Sequence, residues 1–215
     1  MNASASTRTP AGPGGPDALG ELVARYARYS RSAGGLGSVL GGVLLVLGFG
    51  LTSLVEPGTV TRVLVALMPL AWLAAKAGLR HGYYQRDGAA IQRPTRSERR
   101  WHLAGVVYLA VVCLGVGSVV VWAAVQTGGL PLPMWIYLVL VALLPVAAWH
   151  FFWSTGDFIV GTLLFCLAAV VAGGSQYPPV WLLMAGLVGF FTAVTGWREH
   201  RDYLQLRAQL TGRRP

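Results

Sequence analysis

Lysine occurs once in this chain, at Lys76, against sixteen arginines, and only eight residues are acidic. Charged residues make up 12% of the 215 and hydrophobic residues 54%, where ordinary soluble domains carry about 25% charge. A water-soluble fold of this length has too little polar surface to cover so much apolar side chain. A soluble enzyme or binding domain is thereby excluded, and a lipid bilayer is the expected solvent. Cysteine is nearly absent. Cys113 and Cys166 both lie in apolar runs, with no CxxC and no Cys/His spacing suited to a metal. In such surroundings a thiol behaves as a small hydrophobe, and no disulfide is expected. Also missing are a GxSxG elbow, an HExxH pair, a P-loop and a GxGxxG turn, which removes several common catalytic and nucleotide-binding chemistries. No signal peptide is read, because the first strongly apolar run starts near Leu36 and continues past the roughly 7–15 residues of a signal core.

What the sequence does contain is long apolar stretches. About 20 apolar residues of helix cross a hydrocarbon core, and six windows qualify: 36–55, 59–79, 103–125, 134–153, 158–174 and 180–196. The fold class expected is an all-α membrane protein of six spans in three hairpins, with an amphipathic surface helix at the N-terminus. Glu56-Pro57-Gly58 and Ser154-Thr155-Gly156-Asp157 are tight turns between antiparallel neighbours; only the segment 80–102 is long enough to be a real loop. Before the spans, 1–16 is rich in Ser, Thr, Pro, Gly and Ala and is read as a disordered tail. The segment 17–33 places Leu19, Leu22, Val23, Tyr26 and Tyr29 on one side of a helical wheel, opposite Glu21, Arg25, Arg28 and Arg31. That pattern suits a helix lying in the membrane surface, or one packed on the inner face of the bundle. After the six-helix domain at 34–197, residues 198–215 are read as a basic cytoplasmic tail. In the loop, Thr95-Arg96-Ser97-Glu98 is a capping box that starts the third span's helix near Arg96, and Gly88 is a natural stop for the second.

Orientation follows from the distribution of basic residues. With the N-terminus inside, every Arg except Arg62, together with Lys76, falls on the cytoplasmic side. Trp101, Trp149, Trp153 and Trp197 then mark the inner interface, and Trp122, Trp135 and Trp181 the outer one. Arginine over lysine, with abundant Ala, Gly, Val and Leu, suggests a GC-rich bacterial genome and hence the inner membrane.

Few residues in the spans can do chemistry. No Asp or Glu falls at a midplane. Lys76 near the inner end is expected to snorkel, and Arg62 near the outer end to pair with Glu56. His81, His102, His150 and His200 all map to the cytoplasmic ends of helices, with Asp157 on the same side. Together they could form a metal or acid–base site. No two histidines are spaced three or four apart, however, so interfacial anchoring is the plainer account. A haem pair would need histidines deep in the bundle, which are missing, so neither metal nor cofactor is expected. Pro69 and Pro145 sit in the similar hexapeptides ALMPLA (66–71) and ALLPVA (142–147). They are either ordinary kinks or the lining of a transport path between the second and fourth spans. Gly37, Ser38, Gly41 and Gly42 form a small face for close helix contact.

The function expected is a non-catalytic accessory or regulatory membrane subunit. A small permease or flippase-like transporter and a membrane enzyme using the inner-face histidines are the alternatives. The expected partners are anionic phospholipid headgroups, met by Arg25, Arg28, Arg31, Arg96, Arg99 and Arg100, and a membrane protein or a second copy of the chain. The basic excess is placed for lipid, so no nucleic acid is expected.

Overall fold

The computed structural model describes residues 16–32, 35–54, 58–85, 95–129, 131–174 and 180–211, and among these the chain is all helical. The helices are α1 (Pro16–Ser32), α2 (Leu36–Leu54), α3 (Thr59–Leu79), α4 (Arg96–Thr127), α5 (Leu132–Phe151), α6 (Thr155–Ala172) and α7 (Val180–Thr211). A π-helical turn, Arg80–Tyr84, continues α3. Among the described residues five helices, α2 to α6 with the π-turn counted in α3, are long and apolar enough to cross a membrane, as a membrane-embedded protein would require.

Local chemistry sets the boundaries. Thr95 accepts from the Glu98 amide and Glu98 returns a bond to the Thr95 amide, so α4 begins at Arg96 as its motif predicts. Ser154 and Asp157 build the same reciprocal cap on α6. Gly128, at φ 85°, ends α4 in the left-handed conformation that side chains resist. The second span continues through the π-turn to Tyr84, and Gly88, its expected stop, lies outside the described residues. The segment read as a basic cytoplasmic tail is helical to Thr211, with Tyr203 and Leu206 on it buried.

Packing centres on α2 and α6. α2 contacts α3, α6 and α7, while α6 contacts α2, α3 and α5. α7 lies mainly along α2 rather than beside α6, its neighbour in sequence. Glycines explain this choice. A Cβ on Gly42 would run into the Gly189 carbonyl, and one on Gly189 would meet the Gly42 carbonyl at 2.7 Å. Lower down, Gly35 and Gly196 approach in the same way: a Cβ on Gly35, itself at φ 84°, would sit 2.5 Å from the Gly196 carbonyl. Helix backbones in van der Waals contact gain dispersion energy that larger side chains would prevent. The core between these helices is filled by Leu45, Trp72, Phe152, Val160, Leu164 and Leu167, all fully buried. Large residues such as Leu67, Leu114, Val125, Leu183 and Phe190 point outward, as hydrocarbon permits.

α1 docks on the end of α7 and on the π-turn, with Tyr26 and Ala27 buried. Its polar side stays exposed, where Arg25 pairs with Glu21 at 2.8 Å. The side chains of Arg28 and Arg31 lie outside the described residues.

Candidate functional site

The basic ends of the helices meet at one end of the bundle, and there the chain holds a buried charge pair. Lys76 on α3 points inward rather than snorkelling outward. Its ammonium lies 2.5 Å from Asp157 Oδ1 and donates to the Phe151 carbonyl at 2.7 Å, with both residues buried. Its third neighbour is the Trp72 ring, 5.3 Å from the ring centre. Asp157 Oδ2 accepts from the Trp153 and Ser154 amides, each at 3.1 Å. The pair therefore fastens α3 to the turn joining α5 and α6, and the same carboxylate caps α6. Trp72 in turn donates to the Gly37 carbonyl at 2.9 Å, which ties α3 to α2.

The small face of α2 seats these side chains. Gly37 lies against the Lys76 stem, and a Cβ there would be 3.6 Å from Lys76 Cγ. A Cβ on Gly41 would collide with Val160 and with the Trp72 indole nitrogen. Gly42 faces α7, and buried Ser38 stands within reach of Gly156 and Gly196. Thus α2 turns Gly37 and Gly41 to the ion pair and Gly42 to α7.

A second polar cluster lies just beyond, at the π-turn. The Tyr84 hydroxyl accepts from the Leu36 amide at 3.3 Å and is 3.1 Å from His200 Nδ1. Tyr203 packs edge-on against Tyr84 and stacks on Tyr26, whose hydroxyl is 3.5 Å from its own. This cluster holds α1, α7 and the π-turn together. Burial lowers the pKa of His200 and raises that of Tyr203. Glu199 is also pushed up, first by burial and then by the negative charge of Asp157, while a bond from the Gly35 amide opposes both.

The four histidines and Asp157 have separate partners. His81 is exposed beside Gln85, 3.2 Å away. His102 stacks on Trp153 and lies 3.3 Å from the Trp149 carbonyl. His150 is exposed beside Phe151. His200 belongs to the tyrosine cluster, and Asp157 to Lys76. No three His, Cys, Asp or Glu among the described residues are grouped to hold a metal. Pro69 is fully buried and Pro145 lies in a groove on the far side of α5. α6 stands between their helices, so a route from α3 to α5 would have to pass through it. Arg96, Arg99 and Arg100 are exposed in the first turns of α4. Glu56, the expected partner of Arg62, lies outside the described residues.

The Lys76–Asp157 pair and the role of Glu199 were missed in the sequence. A signal for the first was present: one lysine among sixteen arginines marks a place where a compact ammonium fits and a planar guanidinium does not. Such an arrangement defines a class, a helical bundle compatible with a membrane, with most of its described ionisable groups toward one end. Comparisons with protein-family models, with curated proteins and with solved structures found no match.

Proposed function

We propose that the chain is a six-span protein of a bacterial inner membrane, with both termini in the cytoplasm, serving as a non-catalytic accessory or regulatory subunit. The sixth span is the apolar first half of α7, 180–196, and the arginine-rich end is the cytoplasmic end. The placement of the arginines supports this orientation, at about 1 kcal/mol for each one near an anionic surface. That attraction seats the bundle but selects no partner.

One observation carries the accessory reading. The buried charges at the site are mutually satisfied: the Lys76 ammonium is committed to Asp157, Phe151 and Trp72, and Asp157 to Lys76 and a helix cap. A transport or catalytic site needs polar groups turned toward a substrate or a water path. Here they are turned toward each other. The face left for a partner is cytoplasmic: α1, the helical end of α7 and the first turns of α4. The glycine face of α2 is occupied within the bundle.

Mild-detergent purification with cross-linking tests the reading. It expects a membrane-protein partner, or a second copy of the chain, in fixed stoichiometry, and expects it to be lost when α7 is cut after Trp197. A monodisperse single chain that drives solute uptake in sealed vesicles would refute it.

A further inference from the structure

α4 and α6 both start at the arginine-rich end, each behind its own capping box, so they run in the same direction with α5 returning between them. Their register is set near that end. His102 stacks on Trp153, and Gly105 lets Phe158 come close, since a Cβ there would be 3.2 Å from the ring. Eight residues beyond Gly105 and Phe158 along each helix, about 12 Å, stand Cys113 and Cys166. These are the two cysteines of the chain, and the fold brings them to one place. Both line a narrow cleft of about 130 Å3 between α4, α5 and α6, together with Tyr137 and Thr162. Cys113 and Cys166 lie within electrostatic reach of each other, and Tyr137 within reach of both. The Tyr137 ring is seated on α6 at Gly173, where a Cβ would be 3.5 Å from its Cδ2. The other walls are apolar, among them Val112, Leu144 and Phe165.

Two thiols lining an apolar cleft either join or share an ion, and the helix packing distinguishes these. α4 packs on α5, and α6 packs on α5, α3 and α2; among the described residues α4 and α6 have no comparable contact with each other. A disulfide needs sulfurs about 2 Å apart and Cα atoms within roughly 7 Å, which would require the two helices to close up. A metal–thiolate bond is about 2.3 Å, so an ion held between two sulfurs spans roughly 4.6 Å and leaves the cleft open. Ligand number then narrows the choice of ion. No third His, Cys, Asp or Glu among the described residues is grouped with the pair, and zinc, which takes four ligands, is poorly served. Soft sulfur ligands favour Cu(I), an ion content with two of them. Its single charge also suits the surroundings: bound to one thiolate and one thiol it makes a neutral site, with one proton released per ion. The cleft has an entrance as well. It shares Cys113 and Val141 with the groove of about 730 Å3 between α4 and α5.

We propose that Cys113 and Cys166 form a two-sulfur site for a soft monovalent metal ion, Cu(I) in the cell, with the Tyr137 hydroxyl beside it. The bound ion ties α4 to α6, two helices that otherwise meet mainly through α5. The inference rests on the helix packing and is independent of the accessory role.

The test is titration of the reduced full chain in detergent with Ag(I), which shares the charge and sulfur preference of Cu(I) and stays in one oxidation state. Bound metal is counted by elemental mass spectrometry. The native chain should hold one ion and melt at a higher temperature with it. C113S and C166S should each weaken binding by roughly a hundredfold or more, the scale that a second tethered ligand supplies. C166M keeps a soft sulfur and should retain the ion, which separates loss of a ligand from loss of the fold. A native chain that binds no ion would overturn the proposal. So would one ion kept by each serine variant, the mark of two independent thiols, or an ion kept by C113A/C166A, which would place the metal elsewhere. Zn(II) binding as tightly as Ag(I), or a Cys113–Cys166 disulfide forming in the metal-free chain, would overturn it too.

Discussion

Lys76 and Asp157 show how much one residue's surroundings decide. Each alone would be a charge removed from water, and together they are acceptable because each meets the other and further polar partners, the Phe151 carbonyl for the ammonium and the Trp153 and Ser154 amides for the carboxylate. Removing one partner strands the other. K76M and D157N are each expected to destabilise the bundle by about 3–5 kcal/mol, read as a lower midpoint in thermal unfolding followed by tryptophan fluorescence. The double variant should recover most of that loss, because neither charge is then left unpaired; a double variant as unstable as the sum of the singles would refute the clamp. Glu199 permits a signed prediction. Its folded pKa lies above the ordinary carboxylate value, so its contribution is fully present below about 4.5 and lost as pH rises through the raised value. E199Q keeps an acceptor for the Gly35 amide and carries no charge beside Asp157. It should therefore raise the melting temperature at pH 7.5 and change it little at pH 4.5. A fall at pH 7.5 would show that Glu199 is stabilised as an anion.

Among the elements, glycine does two different jobs, and space distinguishes them. Gly42 and Gly189 let α2 and α7 touch. G42A should separate these helices and cost a few kcal/mol, the usual scale of overpacking at about 1–3 kcal/mol. Gly50 and Gly115 have open space where a Cβ would go, and alanine there should be neutral or stabilising by up to about 1 kcal/mol. If both kinds of substitution cost the same in chemical or thermal unfolding, the close approach of α2 and α7 is not what holds them. α1 depends on Tyr203, so Y203A should speed hydrogen exchange in α1 while leaving α5 and α6 unchanged. Much at this scale was legible. The capping box fixed the start of α4, the apolar windows located the helices, and the spacing of Gly37 and Gly41 announced a packing face. The partners of that face were not legible, because a GxxxG pattern says that something comes close and not which helix does. The pairing of α2 with α7 joins segments more than 120 residues apart, and no local pattern records it. Lys76 was misread for a related reason. Depth along a span can be read from hydropathy, but which neighbour covers the face of α3 that carries Lys76 cannot.

At the scale of the whole molecule, one asymmetry organises the rest. Among the described residues, the histidines, the ion pair, the tyrosine cluster and every arginine but Arg62 fall toward one end of the bundle. The proposed placement, with hydrocarbon around the middle and anionic headgroups at that end, accounts for this distribution. It also explains why α1 and the extension of α7 pack on each other with stacked tyrosines while the middle of the bundle exposes leucine and valine. The account is tested most directly by labelling single cysteines in sealed inverted and right-side-out vesicles with an impermeant maleimide, after replacing Cys113 and Cys166 by Ala. Cysteines at Ser97 and Gln205 should react from one and the same side, and a cysteine at Gln126 only from the opposite side. Labelling of Ser97 and Gln205 from opposite sides, or of all three from both, would contradict the single-sided six-span bundle.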